Sequence, residues 1–414
     1  MLRSSDRRIG PMVCYLIVAL VAALLSGCRV VSGTATNADI DLRTLDFGEF
    51  GADPLTEPPN GSEKYGRIVE SARMAEATVD VREIDGSLGV HLPALIPRPG
   101  NTAGYLAAVA RPILTKYGML AGYSVFGDNY CHSGECPVIG VSRSVRLTVL
   151  RLPDEAAAQH AAAEIEAADF GVSPDNVPVT LPKYPAAGAH WRPALPTLGV
   201  VVAQGTFVIT VFVTHPTTDL PALTTLATTA LDIELPVLDR FHPTPKADIA
   251  NLPFDRDGML ARMVPTTRGT WPTPYVTVLE GSGVAGDGAA IEASGVVYGP
   301  TGAGHWLLNG AKSPGVEAGE VEAMAVIDRR WLIRFRDAGA ARRFFEFDSV
   351  TAIRQTEMAA PAVPDTKCLR REAIPPVYYC DMHYGRYFAL VHSTDEKSAH
   401  QMAAAQYALL VRKR

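Results

Sequence analysis

The feature that most constrains the fold is a pattern that the sequence repeats four times. Each copy has two stretches of alternating apolar residues, a short turn between them, and an amphipathic segment with helical spacing. The copies are VIGVSRSVRLTVLRL with DEAAAQHAAAEIEAA, LGVVVAQGTFVITVFV with DLPALTTLATTALDI, EAMAVIDRRWLIRFRD with AGAARRFFEF, and VYYCDMHYGRYFALVHS with TDEKSAHQMAAAQYALLV. Period-2 alternation predicts strands and the longer period predicts helices. Each copy therefore predicts a β-hairpin followed by a helix.

The spacing of the copies indicates a duplication. The turns are predicted near residues 143, 204, 329 and 385, so the first and third copies and the second and fourth are both offset by about 180 residues. We therefore predict an α+β fold of two duplicated domains, each a ββαββα-type antiparallel sheet with helices on one face. The alternative is that hairpin-helix units recur by chance, as they do in many α+β proteins.

The same pass along the chain predicts four segments. Residues 1–27 read as a lipoprotein signal peptide, and residues 28–62 as a lipidated N-terminus and flexible tether, since they have no sustained period and are rich in Gly, Pro, Thr and Asp. The N-terminal α+β domain is placed at 63–245 and the C-terminal α+β domain at 246–414. The boundary falls where Pro and Asp interrupt both periods.

The N-terminus has the pattern of an exported lipoprotein. Three arginines precede an apolar run of about 14 residues, which is too short to span a bilayer. The run ends in Leu25-Ser26-Gly27-Cys28, which resembles the lipobox of bacterial lipoproteins. We expect acylation of Cys28 to hold the protein on the extracytoplasmic face of the cell membrane. The alternative is an uncleaved signal anchor.

Four cysteines remain once those of the signal peptide and lipobox are set aside. In an oxidising compartment they predict two disulfides. Three connectivities are possible, and we expect Cys131 to pair with Cys136 and Cys368 with Cys380, because each pair is local. A zinc site built from Cys131, His132 and Cys136 is the alternative.

Most enzyme classes lack support in the sequence. The chain contains no HExxH, Ser-x-x-Lys or calcium-loop motif, and the segment around Ser142 departs from a nucleophile elbow. Gly281-Ser-Gly283-Val-Ala-Gly286 matches a dinucleotide fingerprint by letter, but no long helix follows it. We predict a non-catalytic protein with no cofactor and no metal. The formal net charge of -6 also argues against nucleic acid as a partner.

Two aromatic-histidine pairs are the candidate ligand residues. His190-Trp191 and His305-Trp306 each follow an Ala/Gly turn. Tryptophan offers apolar area together with a hydrogen-bond donor, so these pairs could form a wall for a sugar or a lipid head group. The alternative is that each tryptophan fills the open end of its sheet.

Four segments resemble a known protein family. They are RMAEATVDVREID (73–85), WLIRFRDAGAA (331–341), GRYFALV (385–391) and AHQMAAAQYALL (399–410). They look like a family of two-domain mycobacterial and nocardial lipoproteins with no assigned activity, which implies a cell-envelope location. A fainter likeness, to the extracellular sensor domain of a mycobacterial serine/threonine kinase, implies only an analogous fold.

These features lead to a hypothesis and two alternatives. The protein is expected to bind a lipid, glycolipid or cell-wall fragment in a groove between its two domains. The first alternative is a scaffold or sensor module that binds another envelope protein through an open sheet face. The second is a new kind of hydrolase. A deep apolar cavity between the domains favours ligand binding, whereas a flat apolar patch favours the scaffold.

Overall fold

The computed structural model describes residues 40–102, 104–130, 136–279, 290–307, 319–347, 355–358 and 362–413. The α-helices are α1 Glu63–Met74, α2 Val81–Ile84, α3 Ala110–Lys116, α4 Glu155–Phe170, α5 Leu220–Leu238, α6 Pro300–Leu307, α7 Ala338–Phe347 and α8 Glu396–Arg412. The strands up to the domain connection are β1 Val90–Leu95, β2 Ala121–Asp128, β3 Ser144–Arg151, β4 Val177–Pro178, β5 Gly188–Trp191, β6 Thr197–Gln204 and β7 Phe207–Thr214. The later strands are β8 Tyr275–Leu279, β9 Ala290–Ser294, β10 Val296–Tyr298, β11 Val321–Ile327, β12 Arg330–Phe335, β13 Gln355–Met358, β14 Thr366–Arg371, β15 Val377–Tyr384 and β16 Tyr387–Ser393.

Two seven-stranded antiparallel sheets form the frame of the described molecule. The first has the order β1-β2-β3-β7-β6-β5-β4 and the second the order β10-β11-β12-β16-β15-β14-β13. In each sheet two hairpins lie side by side and join through their second strands, β3 with β7 and β12 with β16. The predicted α+β architecture of two antiparallel domains is confirmed, and the matched strand order agrees with duplication.

The helices lie on both faces of each sheet, not on one face as predicted. Ile165 of α4 belongs to the same buried cluster as Val208 of β7, whereas Leu231 of α5 belongs to the cluster of Val211. Val208 and Val211 are three positions apart on one strand, so they point to opposite faces. In the second domain α7 and α8 are divided between two clusters in the same way. The central strands β2 and β3 are accordingly buried on both faces.

The two sheets share one hydrophobic core. A continuous cluster of buried residues includes Tyr123 and Leu147 from the first sheet and Ile333 and Phe388 from the second. Helices α1 and α6 contribute to the same cluster. The interface that the structure describes is therefore a packed core rather than an open groove, and a pocket lies at its margin.

The described part of the predicted tether, residues 40–62, packs against the second domain. Its apolar side chains on the cluster of that domain are Ile40, Leu42, Leu45, Phe47, Phe50, Ala52 and Leu55. The side-chain amide of Gln401 donates to the Asp46 carboxylate at 2.7 Å, and Arg412 donates to the carbonyl of Ala52 at 2.6 Å. The prediction of a flexible tether is therefore wrong for these residues. Because an extended segment can bury apolar residues without a regular period, the sequence pattern did not show it.

The first hairpin begins earlier than predicted. Its first strand is β2, whereas residues 138–142 belong to the connection that leads into β3. Two glycines and a serine interrupt the apolar pattern of β2. Gly127 is needed there, because a Cβ atom would lie 2.4 Å from a methyl group of Val81. The other three predicted turns join β6 to β7, β11 to β12 and β15 to β16.

Candidate ligand-binding site

A pocket of about 590 Å³ lies where the two domains meet. Its walls come from α1, from the connection after α5, and from β10 with the start of α6. Its apolar lining includes Val69, Ala72, Phe241, Leu252, Val296 and Val297. Three charged residues, Arg73, Glu76 and Arg256, complete it. The volume is within the range of small-molecule sites, roughly 300–1,000 Å³.

Helix α1 supplies one wall through a stripe of side chains. Val69, Ala72, Arg73 and Glu76 follow the spacing i, i+3, i+4, i+7, which places them on one face of the helix and the 3-10 turn that continues it. The helix begins after Ser62, whose hydroxyl accepts from the amide of Tyr65 at 3.5 Å. The stripe is therefore a direct product of helical periodicity.

The domain connection closes onto α1 because Gly66 has no side chain. A Cβ atom at Gly66 would lie 1.8 Å from the carbonyl oxygen of Ile249. The 3-10 helix Lys246–Asn251 can therefore lie directly on α1. It carries the next residues of the chain, 252–256, into the wall of the pocket.

Glu76 joins the two walls. Its carboxylate accepts from the backbone amides of Thr301 at 3.1 Å and Gly302 at 2.8 Å, in the first turn of α6. These amides have no partner within the helix, and a carboxylate there also interacts favourably with the helix dipole. Glu76 therefore fixes the second domain against α1.

A buried ionic network holds the start of the domain connection. Glu70 is fully buried, and its carboxylate accepts from Arg151 at 2.6 Å and from Arg73 at 2.5 Å. The same carboxylate accepts from the amide of Thr244 at 2.9 Å and from its hydroxyl at 2.8 Å. Buried charge of this kind is tolerated only when it is paired and hydrogen-bonded, as it is here. The network fixes the segment that includes Phe241.

Arg256 lies at the exposed side of the pocket. A Cβ atom at Gly299 would lie 2.8 Å from Nη1 of Arg256 and 2.6 Å from Cδ of Glu76, so the two charged groups flank this glycine. Within the described ranges the guanidinium of Arg256 has no hydrogen bond and no ion pair. The neighbouring Asp257 carboxylate is bound instead to Arg334 at 2.8 Å.

His190 and Trp191 point to opposite faces of β5 and form no common wall. His190 Nδ1 lies 3.0 Å from a carboxylate oxygen of Glu166, and its ring meets Phe170 edge to face. The hydrogen bond to Glu166 raises the pKa of His190. Trp191 packs against the shared core. Neither residue lines the pocket between the domains.

His305 and Trp306 are also part of the packing rather than of the pocket lining. His305 is buried, and its Nδ1 lies 3.2 Å from the hydroxyl of Tyr123, with the two rings stacked. Trp306 lies beside the ring of Tyr298 and packs against the shared core. The structure therefore does not bring the two histidine-tryptophan pairs together.

A second cavity, of about 380 Å³, lies within the first domain between α4 and the sheet. Its lining includes Arg146 and Asp169 among apolar residues. The guanidinium of Arg146 lies over the rings of Tyr105 and Phe126, 5.8 and 5.0 Å from their centres. Burial raises the pKa of Asp169. This cavity belongs to one domain and is the smaller of the two.

The structure contains a disulfide between Cys368 and Cys380, one of the two predicted pairs. The two residues lie directly opposite each other on β14 and β15. Cys136 is also disulfide-bonded, but Cys131 lies outside the described residues, so their pairing stays a prediction.

Several other sequence predictions also fall outside the described ranges. They concern His132, the lipidation site Cys28 and the glycine-rich segment 281–286. Within those ranges, the side chains close enough to hold a metal are His400 and the two disulfide sulfurs of Cys368 and Cys380. Those sulfurs are bonded to each other.

The pocket residues were not singled out in the sequence. Three regions far apart in the chain supply them. The sequence of each region by itself indicates only packing and no binding site. The α1 stripe was the one usable signal, because it places Arg73 and Glu76 in register with apolar residues on a helix face.

The matched sheets and the pocket at their junction define a two-domain α+β protein of duplicated architecture. Comparison with models of protein families identifies the family of both domains. Residues 57–254 match the N-terminal domain of unknown function DUF7373, and residues 259–413 match its C-terminal counterpart. The chain therefore belongs to the DUF7373 family. No curated protein matches it.

A search of solved structures gives a distant likeness. The chain is similar to the extracellular domain of PknH from Mycobacterium tuberculosis, with 14% sequence identity and a TM-score of 0.27. The match covers 46% of this chain and 100% of that domain.

Proposed function

We propose that the protein is a non-catalytic envelope lipoprotein that binds an apolar ligand, such as a lipid or glycolipid, in the pocket between its domains. The pocket itself carries the proposal, because apolar side chains from both domains line a space of about 590 Å³. Exposed apolar cavities of this size lower the free energy of apolar ligands by removing them from water.

The contacts of the candidate histidines favour binding over catalysis. His190 is hydrogen-bonded to Glu166, and His305 to Tyr123. Ser142, which lies in the segment closest to a nucleophile elbow, hydrogen-bonds to Asp128 rather than to a histidine. A serine hydrolase of the usual type needs a histidine beside its nucleophilic serine.

The Leu25–Cys28 motif supports the location. No helix among the described residues is both long and apolar enough to cross a membrane. Changing Cys28→Ala should leave a precursor that is not cleaved and takes up no fatty-acid label, because the acylated thiol is absent. Labelling with an alkyne fatty acid measures this, and equal incorporation in both proteins would place the anchor elsewhere.

Filling the pocket tests ligand binding. Val69→Trp adds a large side chain to the α1 stripe, so it should displace an apolar ligand, whereas Val172→Trp makes the same change at an exposed site. Native mass spectrometry of the proteins purified from envelope should show a bound mass in the wild type and in Val172→Trp, and at least a tenfold lower occupancy in Val69→Trp. Equal occupancy in all three would contradict binding in this pocket. Thermal unfolding checks that each variant is folded.

A further inference from the structure

We infer that the ligand of this pocket is an amphiphile with an anionic head group, and that Arg256 binds the head group. This inference rests on the proposed function and names the chemistry of its ligand. It follows from the difference between Arg256 and the other two charged residues of the pocket.

Arg73 and Glu76 are already occupied. Arg73 is bound to Glu70 at 2.5 Å, and its guanidinium also lies over the ring of Phe241. Both oxygens of Glu76 accept backbone amides of α6. These groups hold the walls in place, so a ligand that competed for them would have to open the pocket.

Arg256 is free to bind a ligand. Its guanidinium has no hydrogen bond or ion pair across the described ranges, and its side chain is on the exposed side of the pocket. A guanidinium binds carboxylate or phosphate through paired hydrogen bonds, which are stronger than neutral ones. The head group can therefore stay at the solvent boundary while the apolar chain enters the cavity.

The neighbouring acidic groups do not cancel this positive charge. The two amides at the start of α6 and the positive end of that helix offset the charge of Glu76. Asp257 is ion-paired with Arg334, whose hydrogen bond is the main cause of the lowered pKa of this carboxyl, and Arg256 contributes less. Among the described residues the pocket therefore presents an apolar interior with Arg256 as an available cation at its mouth, which is the complement of an anionic amphiphile.

The test compares head groups on one chain length. Dodecanoate and dodecanol are titrated below their micelle-forming concentrations into delipidated full-length protein, with binding followed by calorimetry. Dodecanoate should bind about tenfold more tightly than dodecanol, because it gains a charge-assisted hydrogen bond. Arg256→Gln should remove this difference, so that dodecanoate binds no more tightly than dodecanol. Arg268→Gln, an exposed arginine away from the pocket, should behave like the wild type.

The outcomes separate the two proposals. If dodecanol binds as tightly as dodecanoate, or if Arg256→Gln leaves the difference intact, the inference about the head group is wrong while the proposed apolar binding stands. If neither compound binds, both proposals are wrong. Among the described residues the Arg256 side chain makes no hydrogen bond or ion pair, so its variant should unfold close to the temperature of the wild type.

Discussion

Carboxylates that accept backbone amides organise the molecule at the scale of single residues. Glu70 ties the domain connection to α1, and Glu76 ties α6 to the turn after α1. The apolar spacing of residues 64–79 indicates the helical segment to which both residues belong. It could not show their partners, because Thr244 and Gly302 are respectively 174 and 226 positions away.

Glu234 on α5 provides a test that depends on pH. One of its oxygens accepts from the amide of Val79 at 2.9 Å, and burial raises its pKa from 4.5 to about 8. Between these two values the unfolded chain ionises while the folded protein keeps its proton. The free energy of unfolding therefore falls as the pH rises through this window.

Glu234→Gln replaces the ionisable group by a neutral one of the same shape. The free energy of unfolding of the variant should not show this pH dependence. At pH 8 it should be higher than that of the wild type by about 1–3 kcal/mol, and near pH 4.5 the two should differ little. Urea unfolding at the two pH values measures the effect, with the exposed Glu155→Gln as a control. Parallel pH profiles for wild type and Glu234→Gln would show that Glu234 is ionised in the folded protein.

Periodicity predicted the helices and strands well where their apolar residues are regularly spaced. It predicted them poorly where close packing requires glycine. The helices α4, α5 and α8 lie where the apolar spacing places them. Helix α3 is short, and Pro112 lies in its first turn, where a missing amide is tolerated. Strand β2 was missed because its glycines break the alternation.

The assignment of helices to one face failed for a related reason. Apolar alternation in strands such as β3 and β7 predicts a sheet that needs cover on one face. Leu150 and Val208, however, are as fully buried as Leu147 and Val211. Such near-continuous apolar runs belong to strands that are covered on both faces.

Gly66 tests the packing of α1 against the domain connection. Gly66→Ala should lower the free energy of unfolding by about 1–3 kcal/mol, because the added methyl group overlaps the carbonyl of Ile249. Gly86→Ala has open space around its Cβ and should change stability by less than about 1 kcal/mol. Denaturant unfolding of both variants measures this. Equal effects would mean that the connection does not rest on α1.

At the scale of the whole molecule, the two domains are held together by a shared core and by the N-terminal segment. The sequence predicted the duplication from a matched offset, and the identical strand orders agree with it. It could not predict that the two sheets would share one cluster of buried apolar residues. Contacts between residues far apart in the chain decide which sheet faces pack together. The predicted groove is consequently reduced to a pocket at the edge of that core.

Locating the bound ligand decides whether the pocket between the domains is the binding site. A crystal structure of the protein, purified from its native envelope without delipidation, measures this. We expect an apolar chain between Val69 and Val297, with its polar end beside Arg256. A ligand in the second cavity, beside Arg146, with only solvent at the domain junction, would show that the pocket between the domains is not the binding site.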